Sequence, residues 1–224
     1  MSFWDQALEI ARVDFRIERR SGETWRVILP FAMVALFVFP IALGLQLSLI
    51  AQIGPAVFWA LAILFGMQIA LRQSADDSRE RRDLQALLGL DPAARFVGRT
   101  ISGGILAIGF FAALFVTMLL LYGPDLEDGS FLAMLLTSML FAVGITELGT
   151  LAGDITSGLR SRTTLASLLV APLALPLIIG ASQTMEAVAR GESILPWVLL
   201  MIATDLALAV AGVGLARPLE EAAR

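Results

Sequence analysis

Glu147 and Asp205 are the two residues whose chemistry is least expected from their surroundings, because each interrupts a long apolar run. An ionised carboxylate inside a membrane-spanning helix costs about 2.5–3.5 kcal/mol on insertion scales. Asp205 lies near the middle of its run, so it is either a protonated, hydrogen-bonded acid or part of a polar cavity between subunits. Glu147 lies only a few residues from the end of its run, where it either faces water or has a functional role. Both are candidate intramembrane polar residues.

The residue types that are missing exclude most catalytic chemistry. The 224 residues contain no His, no Cys and no Lys. The common general base, the thiolate ligands and the lysine of a P-loop are therefore absent from this chain. Intramembrane phosphotransferases use several aspartates on adjacent turns, whereas Asp205 stands alone. We predict that the chain is not an enzyme and binds no metal or cofactor, although an intramembrane enzyme or a non-transporting scaffold remains an alternative.

Composition and run length predict an all-α membrane protein with six transmembrane helices. Hydrophobic residues make up 58% of the chain and charged residues 16%, against about 25% charged in a soluble domain. A spanning helix needs about 20 apolar residues to cross a ~30 Å hydrocarbon core. Pro172 and Pro176 lie in the fifth run, which is therefore either continuous or a broken, re-entrant element. The six runs are Val27–Leu45, Ile53–Leu71, Ile101–Tyr122, Phe131–Ala152, Leu165–Ala181 and Ile194–Ala216.

The segment before the first run is predicted to be an amphipathic helix. Its charged residues lie away from an apolar set that recurs at helical spacing. Such a helix either packs on another element or lies in the membrane interface, and we favour the interface because Trp25 and Arg26 lead directly into the first span. The apolar set is Phe3, Trp4, Ala7, Leu8, Ala11 and Phe15. The whole chain 1–224 then forms one domain, with an entry helix at 1–26, six spans over 27–216 and a tail at 217–224.

Arginine placement predicts the orientation. With six spans, fifteen of the sixteen arginines fall on one side, and only Arg190 falls on the other. Positively charged loops remain in the cytoplasm. We therefore predict that both termini and the loop from residue 72 to 100 are cytoplasmic.

This cytoplasmic loop contains a candidate docking helix. Its sequence from Asp76 to Gly89 is densely charged and then carries leucines at helical spacing. Acidic residues suit a helix N-terminus, and Gly suits its end. The loop is either a docking element for a cytosolic partner or a solvated connector. The candidate residues for partner coupling are Asp76, Asp77, Arg81, Arg82, Leu84, Leu87 and Leu88.

The order of several motifs resembles a known family nearly end to end. None of them is catalytic, and it is their order and spacing that make the match specific. The motifs are Phe3-Trp4, Ala11-Arg12-Val13-Asp14 with Glu18-Arg19 and Glu23, FPIALG at 39–44, Ile53-Gly54-Pro55 with Trp59, and Gly158-Leu159-Arg160 followed by LLVAPLALPLIIGA at 168–181. With these motifs the chain resembles the permease subunit of an ABC exporter of the second type, and more narrowly the CcmB family of haem exporter permeases, which serve cytochrome c maturation.

This resemblance implies partners that the residues alone do not. It implies an ABC ATPase subunit on the cytoplasmic face, haem-handling membrane subunits, a homodimer within the complex and a place in the bacterial inner membrane. ATP would act only through the partner, haem would be a transported species, and no nucleic acid is expected. An ABC-2-type permease exporting a lipid or a drug remains the alternative.

One segment departs from the family pattern. In the loop after the second span the family has an acidic pair followed by Asp-Gly-Ser-Leu-Glu. Here the acidic pair remains as Asp76-Asp77, but Arg81-Arg82 replaces the Asp-Gly step and Gln85 replaces the Glu. The resemblance implies that this loop couples the permease to its ATPase, so the details of that contact are expected to differ.

The predicted topology is tested by reporter fusions. We expect fusions after residues 48, 126 and 187 to report an external position, and fusions after residues 85, 160 and 224 to report a cytoplasmic one. The expectation rests on the one-sided arginines. A cytoplasmic signal from the fusion after residue 126 would overturn the arrangement of six spans.

Overall fold

The computed structural model describes residues 2–42, 44, 46–75, 84–85, 87–123, 128–156 and 162–223. Every long element in these ranges is helical, which confirms the predicted all-α class. A π-helical turn, Thr24–Ile28, joins the first two helices. The helices are α1 (Phe3–Ser21), α2 (Leu29–Ala42), α3 (Leu47–Ala75), α4 (Pro92–Tyr122), α5 (Asp128–Ile155), α6 (Arg162–Leu173), α7 (Leu175–Ala189) and α8 (Leu195–Ala223).

Six helical stretches in the described residues are long and apolar enough to cross a membrane, which confirms the predicted number. The main difference is at the third, which begins at Pro92 and not at Ile101. Asp91 caps this helix, since its Oδ1 accepts a hydrogen bond from the Ala93 N–H at 3.0 Å, and proline is favoured in a first helical turn. The stretches are Thr24–Ala42, Leu47–Arg72, Pro92–Tyr122, Ser130–Ile155, Val170–Ala189 and Leu195–Glu221.

The fifth element is broken, as its prolines suggested. Helix α6 ends at Leu173, Ala174 forms a turn, and α7 begins at Leu175. Pro176 has no N–H to donate and its ring clashes with the preceding turn, so a continuous α-helix is interrupted there. The apolar part then extends to Ala189, eight residues beyond the predicted end at Ala181.

The amphipathic helix α1 packs on α4 through the small members of the predicted apolar set and not through its large ones. Its buried face carries the small residues Ala7 and Ala11 with Ile10. Small side chains let two helices approach closely. The large members of the predicted apolar set remain exposed, namely Trp4, Leu8 and Phe15. Packing on another element is thus observed, while placement in the membrane interface stays a prediction.

Helix α5 is the centre of the bundle and contacts α3, α4, α6, α7 and α8. Aromatic rings fill the space around it, with Phe111 and Phe141 edge to face at a centroid distance of 5.7 Å. Its buried hydroxyls bond to carbonyls one turn earlier, as Thr146 does to Ala142 at 2.7 Å. These hydrogen bonds satisfy hydroxyl groups that would find no hydrogen-bond partner in lipid.

Close packing at Gly149 gives a testable expectation. A Cβ there would lie 2.5 Å from the Ala70 carbonyl oxygen on α3. Because backbone cannot move aside, we expect Gly149→Ala to destabilise the fold by about 1–3 kcal/mol. The matched control is Gly214→Ala on α8, where a Cβ meets nothing within 4 Å. Thermal unfolding in mild detergent should show a lower midpoint for the first variant only, and equal midpoints would contradict this packing.

Candidate functional site

The leucine turn, defined by Leu84, Leu87 and Leu88, precedes α4 at the end of the bundle that carries Arg72, Arg95 and Arg217, here called the arginine-rich end. Its leucines are among the most exposed apolar side chains of the described residues, at 60% for Leu84, 85% for Leu87 and 75% for Leu88. The Leu88 N–H donates to the Leu84 carbonyl at 3.1 Å, which forms one helical turn. The other predicted coupling residues, Asp76, Asp77, Arg81 and Arg82, lie outside the described residues.

Gly89 and Asp91 connect this turn to the bundle. Gly89 has a φ of +69°, a left-handed conformation that glycine adopts without steric cost and that ends the turn. Two residues later, the Asp91 N–H donates to Gln6 Oε1 on α1 at 2.9 Å. Asp91 Oδ2 accepts from Arg217 on α8 at 2.8 Å, and this bond is the main cause that holds the pKa of Asp91 below its usual value. The leucine turn is therefore tied to α1 and α8 through one residue.

Arg95 forms a buried ion cluster one helical turn further along α4. Only 3% of its surface is exposed. Its guanidinium lies 3.2 Å from a carboxylate oxygen of Glu220 on α8 and 3.9 Å from one of Asp154 on α5. Sequence reasoning missed this cluster. The sequence did contain one signal for it. Asp91 and Arg95 are four residues apart, and Arg217 and Glu220 are three residues apart. At these spacings both members of each pair lie on the same helix face.

Arg72 at the end of α3 fixes the path from α1 into the first span. It contacts Glu18 at 3.0 Å, Glu23 at 3.2 Å and the Thr24 hydroxyl at 2.9 Å. Burial by itself would raise the pKa of Glu18. The hydrogen bonds from Thr24 and the charge of Arg72 outweigh it, so the pKa lies below its usual value. The Glu18 carboxylate is thus stabilised in its ionised form, and in that form its ion pair with Arg72 connects α1 to α3.

Glu147 on α5 and Asp205 on α8 are both enclosed by the bundle, since each is more than nine-tenths buried. Glu147 lies three residues after Gly144, the glycine against which Asp205 packs, so both positions fall on the same face of α5. Asp205 lies directly against Gly144, where any Cβ would collide with its Oδ1. Glu147 therefore does not face water at the end of its span, and Asp205 faces a neighbouring helix of the same chain.

This carboxyl pair has an unusual polar environment. Neither oxygen of Asp205, nor Oε2 of Glu147, has a hydrogen-bond partner among the described residues. In that part of the chain there is also no group of three or more acidic, His or Cys residues that could hold a metal ion. Buried acids of this kind in membrane proteins are typical of functional sites.

The fold and these sites define a polytopic α-helical membrane protein that has an exposed leucine turn at its arginine-rich end. Its sequence over residues 5–220 matches the family model of the CcmB protein. The chain belongs to the CcmB family.

Two curated relatives of this chain have the same printed name. It is 29% identical over 187 residues to Heme exporter protein B of Haemophilus influenzae, which covers 80% of this chain and 81% of that protein. It is 28% identical over 190 residues to Heme exporter protein B of Pseudomonas aeruginosa, with coverage of 83% and 82%. The similarity thus extends over most of each protein.

The buried position of Asp205 predicts how substitutions affect the fold. We expect Asp205→Asn and Asp205→Leu to insert and to unfold at or above the wild-type temperature, since replacing a buried carboxyl by a neutral side chain of similar size is often neutral or stabilising. The matched control is Leu206→Asp, which places the acid on the exposed neighbouring position and should lower insertion. Level in the membrane and thermal unfolding are the measurements. A lower unfolding temperature for both Asp205 variants would show that the carboxyl stabilises the fold.

Proposed function

We propose that this chain is the membrane permease subunit of an ABC exporter that delivers haem during c-type cytochrome biogenesis. In this proposal ATP is hydrolysed on a separate ATPase subunit. The observation that supports it best is the exposed leucine turn on a membrane protein of the CcmB family, whose relatives are named heme exporters. Because the 224 residues include no lysine, they contain no P-loop of the usual kind. A separate chain would therefore supply the motor.

The physical properties of the leucine turn suit a docking contact. Leu84 and Leu88 are four residues apart, so they lie on one face of the turn and Leu87 lies beside them. Moving a leucine from water into a groove of a partner contributes about 1.5–3 kcal/mol. Neighbouring Arg81 and Arg82 would pair with acidic residues at the rim of that groove, where each charge contributes less.

The proposed complex places the chain in the bacterial cytoplasmic membrane with both termini inside. Two copies would form one transmembrane unit, and haem-handling membrane subunits would lie beside them. Haem ligation would belong to those subunits. This chain has no His or Cys, and its single tyrosine, Tyr122, donates its hydroxyl to the Leu36 carbonyl at 2.8 Å.

The docking proposal predicts the effect of removing the leucines. We expect Leu84→Ala with Leu88→Ala to abolish co-purification of the ATPase in mild detergent and maturation of c-type cytochromes in cells. The physical reason is that buried apolar anchors dominate docking energies. The double variant should still insert, because the leucines contact solvent and not the bundle.

The matched control is Leu47→Ala with Leu132→Ala, two exposed leucines at the opposite end of the bundle. This control should leave co-purification unchanged. ATPase recovery at the wild-type level with the Leu84 and Leu88 variant would contradict docking by the leucine turn.

In the same maturation assay, wild-type activity of both Asp205 variants would show that Asp205 has no functional role.

A further inference from the structure

We propose that the turn from Asp91 to Arg95 is the joint that carries movement of the docked ATPase from the leucine turn into α8 and α5. This inference rests on the function proposed above. It assigns positioning roles to Asp91, Arg95 and Arg217, none of which the sequence analysis selected. These residues would transmit movement and would not contact cargo or nucleotide.

The connection between the docking surface and the joint is short. Only Gly89 and Leu90 separate the leucine turn from Asp91. Asp91 is bonded in three directions, to Gln6 on α1, to the Ala93 N–H of α4 and to Arg217 on α8. Displacement of the leucines would therefore displace Asp91, and through it α1, α4 and α8. The two residues between the leucine turn and Asp91 are too few to absorb that displacement.

Arg95 gives α4 a second attachment to α8. Glu220 lies three residues after Arg217, so both contacts fall on the same face of α8. Arginine suits this position because its planar guanidinium carries five N–H donors in a fixed geometry. The same guanidinium also faces Asp154, at 3.9 Å. Two contacts one turn apart resist rotation of α8 about α4 in a way that one contact would not.

Movement at this joint would reach the middle of the bundle. Between the joint and the carboxyl pair, the ring of Phe96 lies so close to Gly212 that any Cβ there would collide with it. Asp205 lies twelve residues before Arg217 (217 − 205 = 12), about 18 Å along a helix. Because a helix moves largely as a rigid element, turning the end of α8 would change how Asp205 lies against Gly144 on α5.

A double-mutant cycle tests the joint. Asp91→Asn keeps a side-chain oxygen to cap α4 but removes the charge, and Arg217→Gln removes the opposite charge. We expect each variant to bring down the ATPase as the wild type does and to lower cytochrome c maturation by about fivefold or more. The variant that carries both substitutions should lower maturation no further than either single variant does, because each single substitution already removes the ion pair between Asp91 and Arg217.

Two further variants control for charge and for folding. Arg12→Gln removes an exposed ion pair of α1, with Glu9 at 3.3 Å, and should leave maturation unchanged. Arg95→Met alone would leave Asp154 and Glu220 without the cation that they share. We therefore combine it with Asp154→Asn and Glu220→Gln, since removing the charges of these ion pairs together costs less than removing the cation alone. This triple variant should insert, bind the ATPase and fail in maturation.

Three outcomes would overturn the joint. Maturation at the wild-type level in the Asp91 and Arg217 variants is the first. The second is a double variant whose defect equals the product of the two single defects. The third is ATPase recovery that falls in step with maturation, which would make these residues part of the docking surface. If the wild-type chain brings down no ATPase, the proposed function fails and the joint fails with it.

Discussion

The cost of placing charge in hydrocarbon is the constraint on which the rest of this structure depends. At the centre of a spanning helix that cost is about 2.5–3.5 kcal/mol per charged residue on insertion scales. Charge is therefore concentrated at the arginine-rich end, where Arg72 pairs with Glu18, Arg95 with Glu220 and Arg217 with Asp91. Each pair joins residues at least 54 positions apart in the chain. The same contacts that neutralise charge also fix α1, α3, α4 and α8 relative to one another.

Glu147 and Asp205 are the exception to this arrangement, and the bundle encloses them. A buried acid that gains no hydrogen bond within the described residues does not stabilise the fold in an obvious way. Gly144 leaves the space that Asp205 occupies, so the packing accommodates the carboxyl. Retaining a costly group in a space that fits it is typical of functional sites in membrane proteins.

Packing in the membrane relies on close approach, because lipid removes the hydrophobic drive that brings helices together in water. Contacts such as Gly149 with the Ala70 backbone and Gly212 with the Phe96 ring lock neighbouring helices along their length. Close packing of this kind is stiff and transmits displacement from one helix to the next. This rigidity is what the proposed transmission from the leucine turn to α8 requires.

The sequence by itself determined the number of spans, the absence of His, Cys and Lys, and the spacing of the leucines before α4, because these depend on composition and on local spacing. The proline pair likewise made a break in the fifth run one of two alternatives, since proline acts on its own helical turn. Only the tertiary structure decided which face of α1 is buried, that Arg95 contacts Asp154 and Glu220, and that Asp205 lies against Gly144. These contacts join residues that lie tens of positions apart, and helical periodicity carries no information about which helices become neighbours. Which partners the helices take depends on the packing of the whole bundle, and no single segment encodes it.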